Sequence, residues 1–122
     1  MSTFLFNFKK EFAPRVESGE KRQTIRRNRK DGRRPKPGDT AKCYTGLRIR
    51  GARRLRTETV VECMSVRMYI DERVIVIDGA KLDRDRAIDF AAADGFNCVD
   101  DMMRWFFDQY GTNDFEGFFT RW

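Results

Sequence analysis

Eight consecutive residues, Gly19-Glu20-Lys21-Arg22-Gln23-Thr24-Ile25-Arg26, concentrate the groups best equipped for chemistry. Gly19 ends a short helical segment, Lys21 falls at the bend, and an extended run follows. Strand alternation sets Arg22, Thr24 and Arg26 on one face and turns Ile25 to the core. That face offers a hydroxyl between two guanidinium groups, with an ammonium at its mouth. Such a set suits an anion or a carbonyl oxygen. The neighbouring cations are expected to lower the Lys21 pKa and make its neutral amine accessible as a base. Thr24 is then a candidate nucleophile activated by Lys21, as in Ser-Lys catalysis. Threonine is also a favoured strand residue, and arginine on a strand is often only a solvated face. Taken alone, the eight residues favour binding over catalysis.

The rest of the composition narrows the chemistry. The 122 residues contain no His, which removes His-based triads, His-Cys zinc sites and the commonest general base. Cys43, Cys63 and Cys98 are odd in number and form no close pair, so neither a disulfide framework nor a CxxC metal knuckle is expected. Each reads as a small apolar residue. Asp83, Asp85 and Asp89 alternate with Arg84 and Arg86 and read as a solvated helix start rather than a metal site. No cofactor is expected. No stretch approaches a membrane span, and residues 1–8 are too short for a signal-peptide apolar region. The cytoplasm is the expected compartment, with no membrane partner.

Charge is segregated. Residues 1–56 hold eighteen Lys and Arg against five Asp and Glu, a net of +13, whereas residues 57–122 hold seven against fourteen, a net of −7. A one-sided positive field concentrates polyanions, and Arg, which dominates the run, makes bidentate phosphate contacts. The expected binding face comprises Arg22, Arg26 and Arg27 with the loop residues Arg29, Lys30, Arg33, Arg34 and Lys36. Arg48, Arg50, Arg53 and Arg54 extend it. The plainer alternative is a basic loop that keeps the protein in solution.

The elements that must position these residues can be read in order. Thr3–Phe8 alternates as a strand with Phe4, Phe6 and Phe8 on one face. A helix over Glu11–Ser18 tolerates Pro14 in its first turn. Gln23–Arg27 is extended, Asn28–Gly38 is a loop, and Thr40–Tyr44 is a strand. Leu55–Tyr69 reads as one long, bent strand and Arg73–Ile77 as a short one. A helix over Arg84–Ala93 has Ala87, Ile88 and Ala91 on its stripe. A second, over Cys98–Tyr110, has Asn97 as N-cap and Met102, Met103, Phe106 and Tyr110 on its apolar face. Phe115–Trp122 closes the chain as a strand. Trp105 and Trp122 can stack on bases but read mainly as core or seam residues. Strands outnumber helices without regular crossovers, which predicts a single α+β domain built on a small, partly closed β-barrel with helices at its rim.

The G-x-K-x-x-T-x-R pattern after a short N-terminal helix resembles the signature of the ASCH-domain family, whose fold is a PUA-like β-barrel. The likeness continues through Pro37-Gly38-Asp39, Asp94-Gly95-Phe96, Phe106-Phe107, Tyr110-Gly111 and Phe115-Glu116-Gly117, and so spans nearly the whole chain. In detail it is most similar to the small ASCH proteins of bacteria and their phages. The resemblance implies a cleft lined by the GxKxxTxR segment on a fold shared with RNA-binding domains. One branch of the family hydrolyses the amide of N4-acetylcytidine with a Lys, a Thr and a downstream Glu. Carried over, these positions are Lys21, Thr24 and Asp94. The last is a departure from the pattern, because an Asp carboxylate is one methylene shorter.

Three functions therefore stand beside one another. The first is binding of nucleic acid, RNA before DNA, or of a nucleotide through the basic cleft. The second is metal-independent hydrolysis of an acylated nucleoside by Lys21, Thr24 and Asp94. The third is an accessory role in which the positive face docks on an acidic protein partner. A small enclosed pocket beside Thr24 favours the hydrolase, and an open basic groove favours the polymer binder.

Overall fold

Eight strands and three helices account for the regular structure of the computed structural model, which describes all residues from Met1 to Trp122. In chain order they are β1 (Thr3–Phe8), α1 (Ala13–Ser18), β2 (Gln23–Arg27), β3 (Thr40–Thr45), β4 (Arg53–Thr59) and β5 (Glu62–Tyr69). These are followed by β6 (Val74–Ile77), β7 (Ala80–Lys81), α2 (Arg84–Ala93), α3 (Val99–Tyr110) and β8 (Asp114–Arg121). No helix is long and apolar enough to cross a membrane.

The strands form two sheets, one of three strands in the order β1-β3-β4 and one of five in the order β2-β8-β5-β6-β7. Strand β1 runs parallel to β3, and every other pairing is antiparallel. The architecture is thus mixed α+β, as expected, but the sheets do not join into a closed barrel. The expected long strand over Leu55–Tyr69 is two strands, one in each sheet. The chain changes sheets at Val60–Val61. There the Val60 N–H donates to Asp39 O at 2.8 Å and the Val61 N–H to Arg121 O at 2.9 Å. A corner strand of this kind is how stacked sheets share a chain.

Alternation explains β1, where Phe4, Phe6 and Phe8 are buried and the intervening residues are exposed. Those rings join Ala13 and Val16 of α1, Ala41, Cys43, Leu55 and Val60 in one apolar cluster, capped by Trp122. A second cluster lies between the five-stranded sheet and helices α2 and α3. Ile25, Val66, Met68, Phe115 and Phe119 pack there against Phe90, Met102 and Phe106. On α2 the buried stripe runs through Phe90 and Ala91, while Ile88, expected on that stripe, is 45% exposed. The N-cap of α3 is Cys98, not Asn97. The Asn97 Oδ1 instead accepts from Arg15 Nη2 at 3.1 Å.

Candidate functional site

Strands β1 and β2 are each the edge of their own sheet, and the gap between them is the centre of the site. Arg26 spans that gap: its Nη2 donates to Asn7 O of β1 at 2.9 Å, and its guanidinium lies over the Phe8 and Phe6 rings. Beside it is a cavity of about 250 Å³. Asn7, Phe8, Thr24 and Arg26 line it from the strands, Phe12 and Lys21 from the chain around α1, and Trp105 and Tyr110 from α3. Asp94 and Phe96 complete the wall.

Lys21 is held from both directions. Its own N–H donates to Arg15 O of α1 at 2.9 Å, and the Arg22 N–H donates to Ala93 O, at the end of α2, also at 2.9 Å. Gly95 has φ +90°, and a Cβ there would stand 3.1–3.3 Å from the Lys21 side-chain carbons. Glycine is therefore needed twice over, for its conformation and for the space. Arg15 Nη1 donates to Gly95 O and pins the same turn.

The side-chain chemistry at the centre is a buried ion pair. Lys21 Nζ donates to Asp94 O at 2.5 Å and lies 3.3 Å from Asp94 Oδ2, with both residues only 2–3% exposed. The Phe12 and Phe8 ring centroids stand 5.0 and 5.6 Å from the ammonium. Burial pushes the Lys21 amine below its usual value, opposed by Asp94 and assisted by Arg26. Burial likewise pushes the Asp94 carboxyl up, opposed by Lys21. Burial is thus the main cause of both shifts, and each partner's charge opposes the shift of the other. Neighbouring cations, expected from the sequence to depress Lys21, are the smaller cause, and desolvation is the larger.

Thr24 is 3% exposed, and its Oγ1 accepts from Arg26 Nε at 2.9 Å. Its hydroxyl hydrogen has no protein acceptor, and Lys21 makes no hydrogen bond to it. Lys21 is engaged by Asp94 instead of activating Thr24 directly. Asp94 Oδ1 is buried without a hydrogen-bond partner, with the Gln23 side chain near enough to oppose the rise of the carboxyl pKa, so the cavity lining includes one unused acceptor and one unused hydroxyl donor. No group of three or more His, Cys, Asp or Glu residues is arranged to hold a metal ion.

Lys21, Thr24, Arg26 and Asp94 are thus brought together, and most of the other expected binding residues are not. Arg22 precedes β2, whose first three residues, Gln23, Thr24 and Ile25, are all buried. The assumed alternation does not hold there because β2 is covered on both faces, and Arg22 opens into a different cavity beneath α2. Arg27 stands at the rim of the site, 4.6 Å from the centroid of Tyr110. Arg29 and Arg33 lie over Phe4, and Arg29 also pairs with Asp31 at 3.3 Å. Arg34 is tied to Ser65 Oγ at 2.8 Å and to Asn28 Oδ1 at 2.7 Å, while Lys30 and Lys36 are exposed. Arg48, Arg50 and Arg54 are exposed in and beside the β3–β4 turn, and Arg53 pairs with Glu17 at 2.7 Å. The cations form a loop-borne strip and a separate hairpin cluster rather than one lining.

The sequence reading does not assemble the aromatic wall: it places Trp105 mainly in the core or a seam, sets Tyr110 on an apolar helix face and gives Phe12 no part. Trp105 packs against Phe12, Phe96, Phe106 and Tyr110, yet it also faces the cavity. Lys9 and Gln109 were also overlooked. Lys9 Nζ donates to Gln109 Oε1 at 2.6 Å above the Trp105 ring, and both residues line the cavity. A cluster of rings beside a basic, threonine-bearing turn was the available signal.

The fold and site define a small α+β domain with an aromatic-walled cavity around a buried lysine–aspartate pair. No family model, no curated protein and no solved structure matches the chain.

Proposed function

We propose that the cavity binds the base of a nucleoside or nucleotide, free or as an unpaired residue of RNA, in a domain of the ASCH type with a PUA-like fold. The observation that carries this is the joint presence of stacking surfaces and unmatched hydrogen-bonding groups in one small space. Phe8, Phe12, Trp105 and Tyr110 supply the π faces, Asp94 Oδ1 an acceptor and the Thr24 hydroxyl a donor. A base uses both kinds of contact at once. Arg27, at the rim, and the strip from Arg29 to Lys36 are suited to the phosphates of a longer ligand. The β1–β2 gap bridged by Arg26, the GxKxxTxR turn and the element order support the family reading. Calorimetry with the four ribonucleosides and with a short oligoribonucleotide tests the function. A nucleoside should bind with little salt dependence, and the oligonucleotide more tightly with a steep one. Absence of binding by both at low salt would falsify the proposal.

A second reading is hydrolysis of an acylated nucleoside, favoured by the depressed Lys21 amine. A neutral amine beside a protonated carboxyl is a base and acid pair. In that scheme Lys21 removes a proton from a water that attacks the acyl carbon, and Asp94 donates its proton to the nitrogen as the C–N bond breaks, giving acetate and the free nucleoside. Release of acetate from N4-acetylcytidine by chelator-treated protein, lost in Lys21→Ala, is the expected result. No turnover of a panel of acylated nucleosides by chelator-treated wild type would remove this reading.

A further inference from the structure

A larger cavity, about 590 Å³, lies on the other side of the Lys21–Gln23 segment, between α2 and the sheet formed by β5, β6 and β8. Its floor is apolar: Met64, Ile77, Leu82, Phe90 and Phe119. The rim is charged. Arg22, Arg86 and Arg121 line the cavity together with Glu62 and Asp89. Arg86, Asp89, Phe90 and Ala93 sit at i, i+3, i+4 and i+7 of α2, so one helix face supplies both floor and rim.

The three arginines are not equivalent. Arg121 is already committed, with Nη1 3.2 Å from Glu62 Oε1 and with Nε and Nη2 donating to Gln23 Oε1 at 3.3 and 2.8 Å. Arg22 makes no side-chain hydrogen bond or ion pair, although its backbone is fixed by Ala93 O and the Trp122 N–H. Arg86 has only a loose 3.8 Å pair with Asp83 at an exposed helix start. Two cations therefore stand with their donors free beside a greasy floor, against the single unpaired carboxylate of Asp89. The volume is within the range of about 300–1,000 Å³ usual for small-molecule sites. A polyanion is disfavoured, because Asp83, Asp85 and Asp89 lie along the same helix and would repel neighbouring phosphates.

We propose that this second cavity binds a small organic anion with an apolar body. The acid group is held by Arg22 and Arg86, and the body rests on Phe90, Phe119 and Ile77. The acid is a carboxylate or a phosphate monoester, both of which an arginine grips through paired N–H donors. The site is separate from the nucleoside cavity and does not depend on that reading.

Calorimetric titration of the intact protein with octanoate, octyl phosphate and neutral octanamide tests it. At least one anion should bind at a single site, with octanamide weaker by about tenfold or more, the difference a lost charge-assisted contact makes. The tighter of the two anions identifies the acid group. Arg22→Gln should weaken that anion by about tenfold, with an unchanged melting temperature because the side chain holds nothing in the fold. Arg86→Gln should act in the same direction and provides a second, independent readout. The proposal is overturned if neither anion binds at millimolar concentration, if octanamide binds as well as the anions, or if the Arg22→Gln/Arg86→Gln variant binds like the wild type.

Discussion

Replacing Asp94 with asparagine removes the counter-charge of Lys21 while keeping nearly the same shape. At 3.3 Å and an effective dielectric constant near 20, the Lys21–Asp94 attraction is about 5 kcal/mol. The Asp94→Asn variant retains the backbone carbonyl that accepts from Nζ, so part of the ammonium's stabilisation survives. The expected loss at pH 7 is about 3–5 kcal/mol, the range for breaking one side of a buried pair. The pH dependence makes the prediction specific. Burial already holds the native Lys21 pKa below its unfolded value of 10.5, and removing Asp94 takes away its largest opposing influence. Between the folded pKa and 10.5 the unfolded state binds more protons than the native one, so this group's contribution to stability rises with pH. In the variant that window widens downward, and its deficit against the wild type shrinks as pH approaches 10.5. Asp94 in the wild type has the opposite trend: with its folded pKa raised above 3.8, its contribution falls as pH climbs through that interval. Urea unfolding at pH 7 and pH 10 measures both effects. A deficit below about 1 kcal/mol at pH 7, or an equal deficit at the two pH values, would refute the claim that the buried Lys21 ammonium relies on Asp94 as its counter-charge.

Three other outcomes are expected. Gly117 pairs with Arg27 of β2, and a Cβ there would run into the Arg26 carbonyl, so Gly117→Ala should cost about 1–3 kcal/mol in urea unfolding and weaken nucleoside binding by displacing β2. Of the three thiols, exposed Cys98 should react quickly with a disulfide reagent, whereas Cys43, buried and pushed up to about 12, should react only on unfolding. The Arg33→Gln/Lys36→Gln variant should lower the salt slope of oligoribonucleotide binding by about 1.4 units and leave nucleoside affinity unchanged, since neither residue lines the nucleoside cavity.

Local features of the fold were legible where one physical signal dominated. Phe4, Phe6 and Phe8 spell out β1 by alternation, and α2 runs over the expected Arg84–Ala93. The junction at Val60–Val61 was not legible, because a run of Thr and Val has the same strand propensity whether it stays in one sheet or passes to another. What separates the two is the pair of long-range hydrogen bonds to Asp39 and Arg121. The site shows the same division. Lys21 and Thr24 were read from the GxKxxTxR turn and Asp94 from the family resemblance, and all three line one cavity, but the shared face of Arg22, Thr24 and Arg26 assumed a half-exposed strand. With α2 and α3 packed against the five-stranded sheet, Ile25 reaches the core while Thr24 and Gln23 are buried as well, and alternation carries no information about exposure. The positive field of the first half, read from totals, does not converge because Arg29, Arg34 and Arg53 find local partners.

The two tryptophans provide the most direct test of the nucleoside cavity. Trp105 is in its wall, whereas Trp122 is not among the lining residues and packs on Phe6 and on the Phe8 ring. In an NMR titration with cytidine, the indole N–H signal of Trp105 should shift saturably while that of Trp122 stays in place. A titration that moves neither signal, or moves both alike, would contradict the account.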